Sequence, residues 1–423
     1  MGENNVPQIV VAQLGARRHY AVPMAFYRAG MLARFYTDTY AGAGSALHPV
    51  TKVLSLLPRA WKPAGLQRML CRREDSLPAD MVASFNFLGF RYFLDLARAK
   101  EAASRIAVDK KYGDLFSLLV LQHRDIRANC IYTFHGAALP LLQGAKARGW
   151  LGLYDQFSAP TAIMYEIYRE EYARWSGWER WDIDSNLILG MADREQACWD
   201  IADYIFCASE FVQKGLMAQG VSSSKIKLVP YGVDFTMYDA DRPLWDGSRP
   251  LRLLFVGTIT VRKGVQYLYE AVKQLQQHRV EVRLVGKVMV SPTARQQLAT
   301  FAELIGHLPR NAMVDQYQWA DLLVFPTVCD GFGLVQIEAL AAGLPVITTP
   351  NAGSVVRDGV EGYIVPIRNA EALADRIDVF ARDPDLLAKM SRNAQARARD
   401  FSENKYCERL ASTVKKLPNM RDI

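Results

Sequence analysis

No apolar run in this chain approaches the roughly 20 consecutive residues that a membrane-spanning helix needs. The opening Met1-Gly2-Glu3-Asn4-Asn5 is too polar for a secretory leader, so a cytoplasmic protein is expected. The six cysteines, Cys71, Cys130, Cys198, Cys207, Cys329 and Cys407, include no Cys-x-x-Cys pair. That argues against a zinc ribbon or a disulfide framework and for reduced thiols. No His-Glu-x-x-His signature occurs and no carboxylate triplet is read as a metal motif, so no metal is expected. Gly-x-Gly-x-x-Gly is missing too, which removes the main sign of a dinucleotide cofactor. Internal repeats and low-complexity tracts are absent. The charges nearly balance, with 51 basic and 44 acidic residues and a net charge of +7. This total does not indicate nucleic-acid binding.

What is present is length and a repeated pattern. At 423 residues the chain exceeds the size at which single cores stop growing, and half of its residues are hydrophobic. Gln8 to Leu14 reads as a strand, Gly15-Ala16-Arg17-Arg18-His19-Tyr20 as its exit, and Ala21 to Ala33 as a helix. Cys130 to Phe134 reads as a buried strand with His135-Gly136-Ala137-Ala138 as its exit loop, where open α/β sheets bind ligands. Strand ends follow at Gly152–Gln156, at Ala202–Cys207 with Ser209 as a helix cap, and at Lys225–Asp234. Between them, Tyr165, Tyr168, Tyr172, Trp175, Trp178 and Trp181 form an aromatic segment that suits either helix packing or an acceptor groove.

Asp239 to Pro250 is rich in Asp, Pro, Gly and Ser and reads as a linker. The pattern then restarts with strand Leu251–Gly257, loop Thr258–Gly264 and a helix from Val265 to about Gln276. Val280–Gly286 is a further strand, and Phe301–Pro309 ends in a loop. Asp321–Pro326, a glycine-rich loop and a helix from about Phe332 to Gly343 follow. Gly362–Pro366, a helix from Ala370 and a terminal helix from about Ser402 to Lys416 complete the chain. The expected class is α/β with two Rossmann-like domains facing a cleft, at 1–238 and 251–401, joined by 239–250 and followed by a terminal element at 402–423.

Two stretches carry charge chemistry. At Asp330-Gly331-Phe332-Gly333-Leu334, the amides of Phe332, Gly333 and Leu334 are expected to be unpaired at a helix start that favours an anion such as phosphate. Glu338, one turn further, is placed to accept hydrogen bonds from sugar hydroxyls. Arg262 and Lys263 supply cations that suit a diphosphate. A different stretch, residues 52–73, has six basic residues and no acid among apolar ones. It suits peripheral contact with an anionic membrane, or simply a helix with a solvated basic face.

Asp330-Gly331-Phe332-Gly333-Leu334, the second acid at Glu338 and the helix ending in Gly343-Leu344-Pro345-Val346-Ile347 resemble the E-x7-E region of the retaining glycosyltransferases of family 4, which have the GT-B fold. Arg262-Lys263-Gly264 resembles the family's diphosphate-holding element, and His135 its loop histidine beside the donor sugar. The resemblance implies a metal-independent, retaining, hexosyl-type transferase with no cofactor, using a nucleotide sugar as donor and a glycan, glycolipid or small molecule as acceptor. Bacterial envelope or polysaccharide synthesis is the implied setting, on the cytoplasmic side of the membrane. It places Gly15, Gly257, Thr258, Arg262, Lys263, Leu308, Asp330, Phe332, Gly333, Leu334 and Glu338 at the donor, with His135, Asp330 and Lys263 as catalytic residues. In the GT-B fold the terminal helix crosses back to brace the first domain. Two letters depart from the pattern: Asp330 stands where Glu is usual, and Thr258 where relatives often carry Arg. The alternatives are an epimerase or phosphorylase on the same fold, or an inactive sugar-nucleotide-binding scaffold.

Overall fold

The computed structural model describes residues 6–42, 45, 47–49, 72–123, 126–180, 184–238, 243–275, 280–353 and 355–418. The basic stretch therefore lies outside the described residues, apart from Arg72 and Arg73.

The first sheet contains β1 (Ile9–Gln13), β2 (Leu32–Thr37), β3 (Val82–Ser84), β4 (Cys130–Phe134), β5 (Leu151–Gln156), β6 (Tyr204–Cys207) and β7 (Ile226–Leu228). All pairings are parallel, in the order β3-β2-β1-β4-β5-β6-β7. Every residue of β1, β4 and β5 is buried, because helices cover both faces of a parallel sheet. Its helices are α1 (Ala21–Arg28), α2 (Asn86–Arg98), α3 (Ala102–Gln122), α4 (Ala138–Ala147), α5 (Thr161–Arg174), α6 (Ser185–Ile201) and α7 (Glu210–Ala218).

The second sheet contains β8 (Leu251–Val256), β9 (Val280–Val285), β10 (Glu303–Gly306), β11 (Leu322–Phe325), β12 (Val346–Thr348) and β13 (Gly362–Ile364), in the order β10-β9-β8-β11-β12-β13. It carries α8 (Val265–Gln274), α9 (Pro292–Ala299), α10 (Arg310–Trp319), α11 (Leu334–Ala341), α12 (Ala370–Arg382) and α13 (Pro384–Ala398). Strand order reverses beside β1 and β4 in one sheet and beside β8 and β11 in the other. Such switch points open a crevice at the carboxyl ends of the strands. Gly15, His135, Gly257 and the 326–333 loop all leave from those ends.

Two local readings change and a third gains a strand. The first helix stops at Arg28 instead of Ala33, because Gly30 takes the left-handed conformation at φ 68°. The Gly30 and Met31 amides then close back on the carbonyls of Tyr27 and Phe26 at 3.0 and 2.8 Å, which frees Leu32–Thr37 to form β2. Within Phe301–Pro309, Glu303–Gly306 forms an edge strand ahead of the loop. The helix expected from Phe332 begins at Leu334 and ends at the left-handed Gly343, φ 71°.

The last helix, α14 (Glu403–Lys415), is capped by Ser402 and crosses back to the first domain. Its Leu410 and Val414 are fully buried in one core with Val22, Met24 and Phe26 of α1. Backbone bonds from Val233 to Phe401 (3.0 Å) and from Glu403 to Val233 (3.1 Å) fix the crossing.

A second crossing comes from α5. Tyr172, Trp175 and Trp178 pack in the core of the second sheet, with Trp175 edge-on to Tyr267 at 5.8 Å. Three members of the aromatic segment are thus packing, across domains, while Tyr168 lies beside Arg262 and Trp181 lies outside the described residues. The Glu171 carboxylate is wholly buried and accepts hydrogen bonds from Gln266 (2.9 Å), Tyr267 (2.8 Å) and the Arg368 guanidinium. Removing one partner of a buried charge pair leaves the other uncompensated. Glu171→Ala is therefore expected to cost about 3–5 kcal/mol in denaturant unfolding, and a loss below about 1 kcal/mol would show that this network does not hold the domains together.

Candidate active site

Two loops of the second domain are stapled together. The Arg262 carbonyl accepts the Val328 amide at 3.0 Å and the Thr327 hydroxyl at 3.2 Å. Gly264 has φ +74°, and a Cβ there would lie 1.9 Å from the Pro326 carbonyl oxygen, so only glycine fits. From the α5 extension, Glu179 accepts the Val261 amide at 2.9 Å. The turn at 261–263 is thereby pressed against the exit of β11, and Lys263 forms an ion pair with Asp330, their side chains 12% and 18% exposed. Burial lowers the Lys263 pKa and Asp330 opposes that shift. Arg262 lies beside Tyr168, Asp330 and Cys329.

The start of α11 is only partly open. The Gly333 amide donates to the Ala352 carbonyl at 2.9 Å, so the expectation of three unpaired amides is corrected. The Phe332 and Leu334 amides meet no protein acceptor among the described residues. Glu338 faces inward and accepts a 2.7 Å hydrogen bond from the Tyr317 hydroxyl. Burial raises its pKa, against the pull of Tyr317 and Arg310. Leu308 packs partly buried against the same core. Gly257 (φ 147°) ends β8, its amide on the Val285 carbonyl at 2.9 Å, and Thr258 follows it.

From the first domain, Gly15 enters at φ +74° with its amide donated to Asp38 at 2.8 Å. Asp38 is fully buried and also binds Arg72 at 2.6 Å. This pairing takes Arg72 out of any freely solvated basic face. Gln13 donates to the carbonyls of Gly15 (2.8 Å) and Arg17 (3.1 Å), which shapes the loop. His135 has Nδ1 3.3 Å from the Tyr154 hydroxyl and its ring edge-on to Phe157 at 6.2 Å.

Phe157 joins the halves. The Arg17 guanidinium sits over its ring at 4.8 Å, and a Cβ on Gly331 would come 2.3 Å from its carbonyl oxygen. The Ser209 hydroxyl adds a 2.6 Å bond to the Gly331 carbonyl. Arg17 and His135 of one domain thus meet the Asp330-Gly331 loop of the other around one residue, while Glu338 and Leu308 lie further along the second domain.

Asp38, Phe157, Tyr317 and Glu179 were not identified from sequence. Asp38 had a readable signal, since it follows β2, but the over-extended helix hid that strand. Among the described residues no group of three or more His, Cys, Asp or Glu is placed to hold a metal ion. Of the carboxylate-x-carboxylate triplets, Asp383-Pro384-Asp385 uses its first acid to cap α13, and Glu195 of Asp193-Arg194-Glu195 accepts from Gln156 and the Thr161 amide; those at 182–184 and 239–241 fall wholly or partly outside the described residues. No described helix is long and apolar enough to cross a membrane.

His135 is pulled from 6.5 to about 4 by burial and then by Arg17 and Arg194. A depressed histidine pKa means that the unfolded chain binds the proton first, so stability is lost as pH falls from 6.5 towards 4. In an NMR titration the His135 ring should stay neutral down to about pH 5, and a midpoint at the ordinary 6.5 would contradict this environment.

The model of the family described as Glycosyl transferases group 1 matches residues 250–383. A D-inositol 3-phosphate glycosyltransferase of Xylanimonas cellulosilytica is 31% identical over 289 residues, 56% of this chain and 68% of that protein. WcaL of Escherichia coli strain K12, whose name assigns it provisionally to colanic acid biosynthesis as a glycosyltransferase, is 28% identical over 56% of this chain; the match spans 62% of WcaL, less than two thirds of its length. Among solved structures, sucrose-phosphate synthase from Thermosynechococcus elongatus shares the fold at a TM-score of 0.65 and 16% identity, covering 97% of this chain and 98% of that one. HepE of Anabaena, solved in complex with UDP, does so at a TM-score of 0.62 and 15% identity, covering 97% and 100%. The two parallel-sheet domains are those of the GT-B architecture, and the chain belongs to the glycosyl transferases group 1 family.

Proposed function

We propose that this protein transfers a sugar from a nucleoside-diphosphate sugar to an acceptor, with retention at the anomeric carbon. The first domain, residues 1–238, would hold the acceptor, and the second, 251–401, the donor. The observation that carries this reading is the meeting, around Phe157, of His135 and Arg17 with the Lys263–Asp330 pair and the α11 start.

Breaking the bond between sugar and diphosphate moves negative charge onto the leaving phosphate. Fixed donors aimed at that charge are the largest single source of rate enhancement in such a site. Arg262, Lys263 and the Phe332 and Leu334 amides occupy that position. No metal ion is needed in this scheme. The partly buried Lys263–Asp330 pair holds the ammonium in place before the donor arrives, and the second oxygen of Asp330 is left to meet sugar hydroxyls. Glu338, oriented by Tyr317, receives the ribose hydroxyls. His135, kept neutral by burial and its cationic neighbours, offers a hydrogen bond to the sugar without adding charge. HepE, solved with UDP and with UDP-glucose, supports a nucleotide-sugar donor for this chain as well.

The two anchors should separate in kinetics. Glu338→Ala removes ribose contacts present in ground and transition states, so KM for the donor rises by about 1–2 kcal/mol of binding with a smaller change in kcat. Lys263→Ala removes charge stabilisation that grows in the transition state, so kcat falls by about 10²–10³. Steady-state assays with a nucleotide-sugar panel read both effects, and unchanged kinetics in both variants would remove the site assignment.

A further inference from the structure

A cavity of about 540 Å³ opens in the first domain beside Gly15 and His135. Three helices wall it with one face each: Tyr92 and Leu96 of α2, Ile106 and Lys110 of α3, and Leu187, Met191 and Arg194 of α6. Positions separated by three or four residues share a helix face, so the cavity follows the packing of the three helices. Its volume lies within the range of about 300–1,000 Å³ typical of small-molecule sites.

The lining divides by chemistry. Leu96, Ile106, Leu139, Leu187 and Met191 are all partly exposed, an apolar surface that water covers poorly. Arg17 and Arg72 stand next to Gly15, and Arg194 and Lys110 also line the wall. Arg72 is anchored by the buried Asp38 and Arg194 is paired with Asp114, while no salt bridge is found for Lys110 among the described residues. The lining acids are engaged: Asp109 takes the Tyr92 hydroxyl at 2.7 Å, and Glu195 takes Gln156 and the Thr161 amide, each at 2.7 Å. Arg17, Arg72, Lys110 and Arg194 are thus the cations of the lining, with Arg17 and Arg72 on the side of Gly15.

Two further features point to a chain-like occupant. Gly190 lies in the middle of α6 on the cavity wall, and no atom comes within 4 Å of where its Cβ would be. Glycine inside a helix is unfavourable, and here its effect is to leave that space open. On the outer side of α2, Phe87 and Phe90 are 76% and 48% exposed, one turn apart, so the helix that walls the cavity also presents an aromatic surface to the outside.

We infer that the acceptor is an amphiphile whose phosphate or diphosphate group sits at Arg17, Arg72 and Arg194 and whose aliphatic chain lies along the α2–α3–α6 cavity past Gly190. This rests on the transferase reading of the cleft and adds the acceptor's chemical class: a lipid-linked phosphate, with the sugar-accepting end towards His135.

The probe is farnesyl diphosphate, titrated calorimetrically against the full chain, with inorganic diphosphate and farnesol as partial ligands and UDP as the donor-site control. Farnesyl diphosphate should bind at least about tenfold more tightly than either partial ligand, and should still bind Lys263→Ala, which places it outside the donor site. Gly190→Phe fills open space at a helical position, so the variant should melt no lower than the parent and still bind UDP. Its farnesyl diphosphate affinity should fall by about tenfold or more. If the parent binds UDP but not farnesyl diphosphate, or if Gly190→Phe binds the probe as well as the parent, the acceptor class is wrong and the transferase reading survives. If the parent binds neither farnesyl diphosphate nor any of UDP, GDP, ADP and dTDP, both fall.

Discussion

The site depends on a close approach of two backbones. At Gly331 the second domain comes so near the Phe157 carbonyl of the first that a side chain there would stand 2.3 Å from its oxygen. Real Cβ atoms do not tolerate that distance, so a bulkier residue would have to separate the domains. Glycine is required by the closeness of the seam, and the closeness brings residues from two sheets to one place. Two long-range supports hold the seam: α14 crosses to α1 at one edge, and the α5 extension carries Glu171, Trp175 and Trp178 into the second domain's core at another.

Electrostatics adds a second constraint. Burying an ammonium beside a guanidinium is unfavourable unless something compensates, and Asp330 compensates Lys263. Asp330, shorter by one methylene than the Glu of the resembled pattern, makes this ion pair. The shorter side chain is therefore long enough to join the two loops, and it holds the Lys263 ammonium in place. Thr258 contributes no charge, which leaves the cationic contribution of this face to Arg262 and Lys263. The neutral His135 on the opposite wall fits the same logic, because burial first and then two arginines close by make a positive charge there costly.

Much of the second domain was legible in the sequence because its chemistry is local. Arg262-Lys263-Gly264 and Asp330 to Glu338 are contiguous segments whose glycines and charges announce turns and anion contacts, and strand β11 and helix α11 fall where the apolar pattern puts them. The first domain was less legible because its contributions are tertiary. Asp38 matters only through Gly15 and Arg72, and Phe157 only through His135, Arg17 and Gly331. Strand β2 was hidden when apolar residues beyond Gly30 were read as more helix, a case of left-handed glycine overriding apolar continuity. The Gly333 amide is satisfied for a similarly non-local reason: its acceptor, Ala352, comes from the loop after β12. No local pattern could have shown that Glu171 lies between Gln266, Tyr267 and Arg368.

The proposed transfer requires that the second-domain site hold a nucleoside diphosphate. The most direct measurement is the melting temperature of the unmodified protein with UDP, GDP, ADP and dTDP in turn, since a ligand that prefers the folded state stabilises it by about 2.7 kcal/mol at a hundredfold excess over its Kd. A clear, saturable rise with one base, larger with its sugar-linked form, is the predicted result. No rise with any of the four nucleotides or their sugars would contradict the assignment of Arg262, Lys263 and Glu338 to a donor.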